Sequence, residues 1–225
     1  MGKKFPLKSK WVRGGTTACL MLVCCLLGAF TSQKDHIVVC FGDSITHGAM
    51  VDGHSWVWYL QQEHHPGLNF INAGRSGRKT ADRRELLPVL KRYPNADHYI
   101  IFLGVNDLKN GNDSMVAACI NNMRWMIGKI KAVNQDAQIL LLAPSDINTR
   151  IMNEINKRKL YNEHTRRALV KLEKGYKLLA REQAVHFLSL RKVVPRKAYA
   201  DGLHPDAKGQ QHIKAAVWNQ LKKYL

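Results

Sequence analysis

Val38-Val39-Cys40-Phe41-Gly42-Asp43-Ser44-Ile45-Thr46-His47-Gly48 is the stretch that decides how this chain is read. An apolar, β-branched run from Ile37 to Phe41 stops abruptly at Gly-Asp-Ser, as a buried strand does when it reaches a sheet edge and turns into a loop. The turn leaves Ser44 projecting from the carboxyl end of that strand. In open α/β sheets ligands bind along this edge, and a hydroxyl held there acts as a nucleophile once a base reaches it. Taken alone, Gly-Asp-Ser reads more readily as a helix cap, so the remainder of the chain has to decide.

Working outward, Asn69 to Ala73 predicts a second strand closed by Gly74-Arg75-Ser76-Gly77. His98 to Leu103 predicts a third, followed by Gly104-Val105-Asn106-Asp107. Gln138 to Ala143 predicts a fourth, stopped by Pro144, and Val185 to Leu188 a weak fifth. Between them the periodicity predicts helices over 55–63, 79–92 and 113–132, a long basic helical region over about 151–182, and a last helix over about 206–221. Continuous apolar strands alternating with helices imply a parallel sheet covered on both faces. The expected class is a three-layer α/β/α sandwich with about five parallel strands, flavodoxin-like.

The chain has 225 residues, 45% of them hydrophobic, which suits one domain over 34–225 with a full core. Residues 1–33 differ in kind. Lys3, Lys4, Lys8, Lys10 and Arg13 precede an almost wholly apolar run from Thr16 to Phe30, the pattern of a signal peptide or uncleaved signal anchor. Export to the periplasm or medium is therefore expected, with membrane association through 16–30 as the anchored form. Val23 before Cys24 argues against lipidation, since a small residue belongs there. Outside this segment only Cys40 and Cys119 remain, on different core elements and without metal-ligand spacing, so both are expected as buried small hydrophobes. Of the net charge of +18, the five basic residues named above supply +5, and the remaining +13 gathers in 75–92 and 150–197. Such a field attracts polyanions or simply covers solvated helix faces, and no zinc-finger, RNP or helix-turn-helix pattern supports specific nucleic-acid recognition.

In a parallel sheet the carboxyl strand ends share one edge, so Gly42-Asp43-Ser44, Gly74 to Gly77 and Gly104 to Asp107 meet in one cleft. Asp201-Gly202-Leu203-His204-Pro205, before the last helix, can reach the same edge. A carboxylate and an imidazole three residues apart across a turn can meet, the acid orienting one ring nitrogen while the other faces a nucleophile. In this order and on these loops the motifs resemble the SGNH hydrolases of the GDSL-type lipases and esterases, over essentially all of 36–222. The resemblance implies Ser44 as nucleophile, Asp201 and His204 as its partners, and an oxyanion hole from the N–H groups of Ser44 and Gly77 and the amide of Asn106. It also implies a serine esterase working through an acyl-enzyme without metal or organic cofactor.

The chain departs from the family where Arg78-Lys79 follows the second glycine, in place of the aspartate that many relatives carry. Arg78 is thus a candidate substrate-binding cation, with Arg75 and Lys79 beside it, and His47 a second candidate for the pocket. Short loops without a lid favour small acyl groups such as acetyl, and hence a carbohydrate O-acetylesterase. The competing readings are a lysophospholipase or thioesterase and, from another class, a non-catalytic, polyanion-binding envelope protein.

Overall fold

In the computed structural model residues 1–3, 35–63 and 65–225 are described; the stretch read as an export signal or anchor lies outside them. The strands are β1 (His36–Gly42), β2 (Leu68–Gly74), β3 (His98–Phe102), β4 (Gln138–Ala143) and β5 (His186–Ser189). All pair in parallel in the order β2-β1-β3-β4-β5. The chain moves from β1 out to β2, then returns to the other side of β1 for β3. Loops leaving β1 and β3 therefore diverge to opposite faces and open a crevice at the carboxyl edge. Register brings the strand ends level, because Gly42 pairs with Gly74 on one side and with Phe102 on the other.

The helices are α1 (Ser44–His47), α2 (Trp56–Gln62), α3 (Leu86–Arg92), α4 (Asp113–Val133), α5 (Glu154–Arg158), α6 (Glu163–Glu182) and α7 (Ala207–Leu221). Strand side chains alternate between two cores. Val39, Phe41, Ile101 and Leu141 bury against the face holding Met123, Ile127, Leu172 and Tyr176 of α4 and α6. Val38, Cys40, Ile100 and Leu140 bury against the face holding Trp56, Leu60, Ile213 and Val217 of α2 and α7. Each fully buried large apolar side chain stabilises the fold by about 1.5–3 kcal/mol. Cys40 and Cys119 are buried, free thiols, as their positions in the sequence imply; burial raises both pKa values well above the ordinary range.

Two expected helices are divided. The span 79–92 splits into a 3₁₀ turn, Thr80–Glu85, and α3, with Asp82 outside helical geometry at ψ 24°. Pro88 accounts for the restart. It has no N–H to donate back to Arg84, and in the first turn of a new helix that loss costs nothing. The basic region 151–182 likewise splits into a 3₁₀ turn, Thr149–Ile151, then α5 and α6. Asn153 and Asn162 each cap a fresh start, and Leu160 between them takes a left-handed φ of 66° that no helix tolerates.

Candidate active site

Ser44 opens α1, a helix of one turn held by its flanks. Asp43 caps it, its Oδ1 accepting the Ile45 N–H at 2.9 Å, and Gly48 ends it at φ 98°. Gly42 is required here because a Cβ would lie 2.1 Å from Thr46 Oγ1 and 3.0 Å from the Phe102 carbonyl. The Asn72 side chain reaches across from β2 to donate to the Thr46 carbonyl and to Ser55 Oγ, at 2.9 and 3.2 Å. The turn that carries Ser44 is thus fixed by both of its neighbouring segments.

The loop before α7 brings His204 to that turn. Its Nε2 lies 3.0 Å from Ser44 Oγ, and its Nδ1 lies 2.8 Å from Asp201 Oδ2. Asp201 Oδ1 accepts the N–H groups of Leu203 and His204 at 3.0 and 2.7 Å. Burial acts to raise the Asp201 pKa, but hydrogen bonds from the ring and backbone of His204 outweigh it and hold the carboxyl well below the usual range. An ionised Asp201 keeps the proton of a neutral His204 on Nδ1, leaving Nε2 free to accept the Ser44 O–H.

Across the crevice, Asn106 lies in a 3₁₀ turn, Val105–Asp107, entered from β3 through Gly104 at φ 132°. Its amide donates to the Arg78 carbonyl at 3.1 Å and makes a longer 3.4 Å contact with Asp43 Oδ2. The N–H groups of Ser44 and Gly77 have no acceptor among the described residues. Gly77 adopts φ 78° with open space where a Cβ would be, so glycine is needed there for its backbone conformation rather than for close approach. Unpaired N–H groups and a side-chain amide are the kinds of donor that stabilise an oxyanion formed by attack on an acyl carbon.

The family model for GDSL-like lipases/acylhydrolases matches residues 40–212. The chain belongs to that family. Its five-stranded parallel sheet between helices is the SGNH hydrolase fold, and membership makes it a carboxylic ester hydrolase. Solved structures agree in fold. A carbohydrate acetylesterase from Sinorhizobium meliloti is 20% identical at a TM-score of 0.71, covering 85% of this chain and 100% of that one. The native aryl esterase of M. smegmatis is 21% identical at a TM-score of 0.71, covering 84% and 100%. A lipase/acylhydrolase from Enterococcus faecalis is 23% identical at a TM-score of 0.62, covering 84% and 96%. No curated protein sequence matches.

The two candidate pocket residues of this SGNH hydrolase are placed differently from one another. His47 is exposed at the end of α1. Arg78 does not border the crevice as a free cation. Its guanidinium is buried, donating to the Gly42 and Ala73 carbonyls at 2.6 Å each and to Glu85 at 3.0 Å, and stacking 4.1 Å over the Phe41 ring. It sews together the ends of β1 and β2. Arg75 is likewise committed, to Asp82 and Glu85. Lys79 alone of the three has no ion pair among the described residues.

Three buried polar residues support the site without any local sequence signal. Tyr161 donates its hydroxyl to Asn106 Oδ1 at 2.6 Å. Asn156, on α5, donates to Asp201 Oδ2 at 2.9 Å. Gln210, on α7, accepts from Trp56 N–H at 3.0 Å and donates to the Ile45 carbonyl at 3.2 Å, drawing the helix that follows His204 onto the turn that carries Ser44. The segment 154–161 therefore holds both the acid behind the imidazole and the amide across the crevice.

Proposed function

We propose that this SGNH hydrolase cleaves short-chain acyl esters through an acyl-enzyme on Ser44, with acetylated carbohydrate as the substrate class. The observation that carries the catalytic assignment is the chain of contacts Ser44 Oγ to His204 Nε2 and His204 Nδ1 to Asp201 Oδ2, at 3.0 and 2.8 Å. His204 takes the Ser44 proton as Oγ attacks the ester carbonyl, and Asp201 stabilises the imidazolium that forms. The Ser44 and Gly77 N–H groups and the Asn106 amide receive the oxyanion; the 3.4 Å contact to Asp43 is the weaker of the amide's two and the one an oxyanion displaces. His204 then protonates the leaving alcohol, and water repeats the sequence on the acyl-enzyme.

Two features favour a short acyl group. The connections that leave β1 and β2 are short, so they enclose little space for a long acyl chain. A solved structure of the same fold is described as a carbohydrate acetylesterase. Export, proposed from the basic and apolar run at 3–30, would give the enzyme access to envelope or extracellular polysaccharide.

Turnover of 4-nitrophenyl acetate, butyrate and octanoate by the purified protein tests this reading. Acetate should give the highest kcat/KM. Ser44→Ala and His204→Ala should each lower kcat by a factor on the order of 10⁴ to 10⁶, and the double variant should be little worse than either, because nucleophile and base act as one unit. Retained activity in Ser44→Ala overturns the assignment, and a preference for octanoate favours the lysophospholipase or thioesterase reading.

A further inference from the structure

Three segments close around Asn106, and each carries a lysine at its exposed margin. Lys79 follows Arg78, whose carbonyl accepts the Asn106 amide. Lys109 lies three residues past Asn106, half-buried, its Nζ 5.3 Å from the centre of the Tyr161 ring. Lys159 precedes Leu160, whose carbonyl accepts the Asn110 N–H at 2.8 Å and so ties the two loops together. The Tyr161 hydroxyl is itself bonded to Asn106, which places the Lys109 ammonium one aromatic ring away from the oxyanion amide.

None of these lysines forms an ion pair among the described residues, whereas Arg75, Lys157, Arg166 and Lys171 all pair with carboxylates. The carboxylates near them are already engaged. Asp107 accepts from the Thr80 N–H and hydroxyl, Asp201 from His204 and Asn156, and Asp43 from Ile45. Burial lowers the Lys109 pKa, and the charges of Lys79 and Lys159 lower it further, against a weaker opposing effect of Asp107. The rim of the cleft therefore holds cationic charge that the protein itself leaves largely unneutralised.

We propose that Lys79, Lys109 and Lys159 form a cationic subsite on the oxyanion side of the Ser44 cleft, selecting esters that carry an anionic group within a few bonds of the reacting carbonyl. The proposal rests on the esterase reading above and narrows its substrate class to acylated acidic molecules, such as acetylated sugar acids or half-esters of diacids. Each such contact, exposed or half-exposed, is worth a factor of about 1.5 to 5. Together they should favour an anionic over a neutral ester by about three- to tenfold in kcat/KM at low salt, falling towards unity as the charges are screened.

Two matched pairs test it, one for each side of the ester bond: 4-carboxyphenyl against 4-carbamoylphenyl acetate, and 4-nitrophenyl hemisuccinate against 4-nitrophenyl butyrate. Each is measured at about 20 mM and about 500 mM salt. The expected result is a preference for the anionic member of at least one pair at low salt. It should be lost at high salt and lost in the triple variant Lys79→Gln/Lys109→Gln/Lys159→Gln. The pair that responds tells whether the anion sits on the acyl or the alcohol side. Lys222→Gln/Lys223→Gln, at the far end of α7, removes similar charge and should leave the ratio unchanged. The salt series on the unaltered enzyme keeps the test decisive should the triple variant fold poorly. Ser44-dependent turnover with ratios near one in both pairs at low salt overturns the subsite and leaves the esterase standing. A ratio that falls equally in the Lys222/Lys223 variant also overturns it, in favour of a diffuse field. Absence of Ser44-dependent turnover of every ester overturns both readings.

Discussion

Asn106 is held on both ends of its amide, the nitrogen by the Arg78 carbonyl and the oxygen by the Tyr161 hydroxyl. A terminal amide can flip, and on the proposed mechanism only one orientation presents N–H to an oxyanion, the one that the Tyr161 hydroxyl selects. Tyr161→Phe should therefore lower kcat by about tenfold with KM nearly unchanged, and add little to the loss in Asn106→Ala; steady-state kinetics of the two single variants and the double variant check this. Additive losses would assign Tyr161 to general packing. Asp43 bears a different load. Complete burial pushes its carboxyl up to about 7, against the Ile45 N–H and the His204 charge, which pull it down. Between pH 4 and 7 the folded state holds a proton there that the unfolded chain releases, so this group lowers stability as pH rises through that window. Asp43→Asn keeps the cap and removes the titration. Relative to the unaltered protein it should gain thermal stability at pH 8 compared with pH 5, measured by calorimetry at both values. The meeting of Ser44, His204 and Asp201 was legible in the sequence once Gly-Asp-Ser and Asp-x-x-His were read together with the sheet edge they share. Tyr161 and Asn156 were not, since their partners lie 55 and 45 residues away and each passes for an ordinary polar residue near a helix.

At the scale of elements, the strands follow from the sequence within a residue or two, most directly the three central ones, whose burial on both faces leaves few alternatives to a continuous apolar run. The helices were less legible where a local device interrupts a basic, helix-favouring composition. Pro88 announces its break in the sequence. Leu160 does not, because neither glycine nor asparagine marks its left-handed backbone. That residue is 54% exposed, so its side chain gains little from burial to offset the strain. Leu160→Gly should raise stability by about 0.5 kcal/mol, relief of strain exceeding the added entropy of the unfolded chain, and chemical denaturation with an unchanged m-value checks it. A loss of stability would mean that Leu160 contributes packing that its exposure conceals. The split of 79–92 also explains why Arg78 serves the scaffold. The chain turns there into a 3₁₀ segment and aims the guanidinium back at the strand ends, leaving Lys79 as the outward cation.

For the molecule as a whole, the order β2-β1-β3-β4-β5 places the crevice between the first and third strands, and α7 closes it from the end of the chain. Gln210 fastens that closure by spanning 154 residues to Trp56 and 165 to Ile45. Gln210→Ala leaves a buried N–H and a buried carbonyl without partners and should cost about 2–3 kcal/mol. Circular dichroism melts should record the loss, and esterase activity should disappear at a lower temperature than bulk helix if α7 detaches first. A single transition by both probes would show that α7 and the sheet unfold as one. The same clasp orders the events of biosynthesis. Because Ser44 and His204 are 160 positions apart, a growing polypeptide presents its serine long before the imidazole that activates it has been translated. On the proposed mechanism a nascent chain that has passed Ser44 stays inert over those 160 positions, and it becomes able to attack an ester only when the segment before α7 folds back over β1.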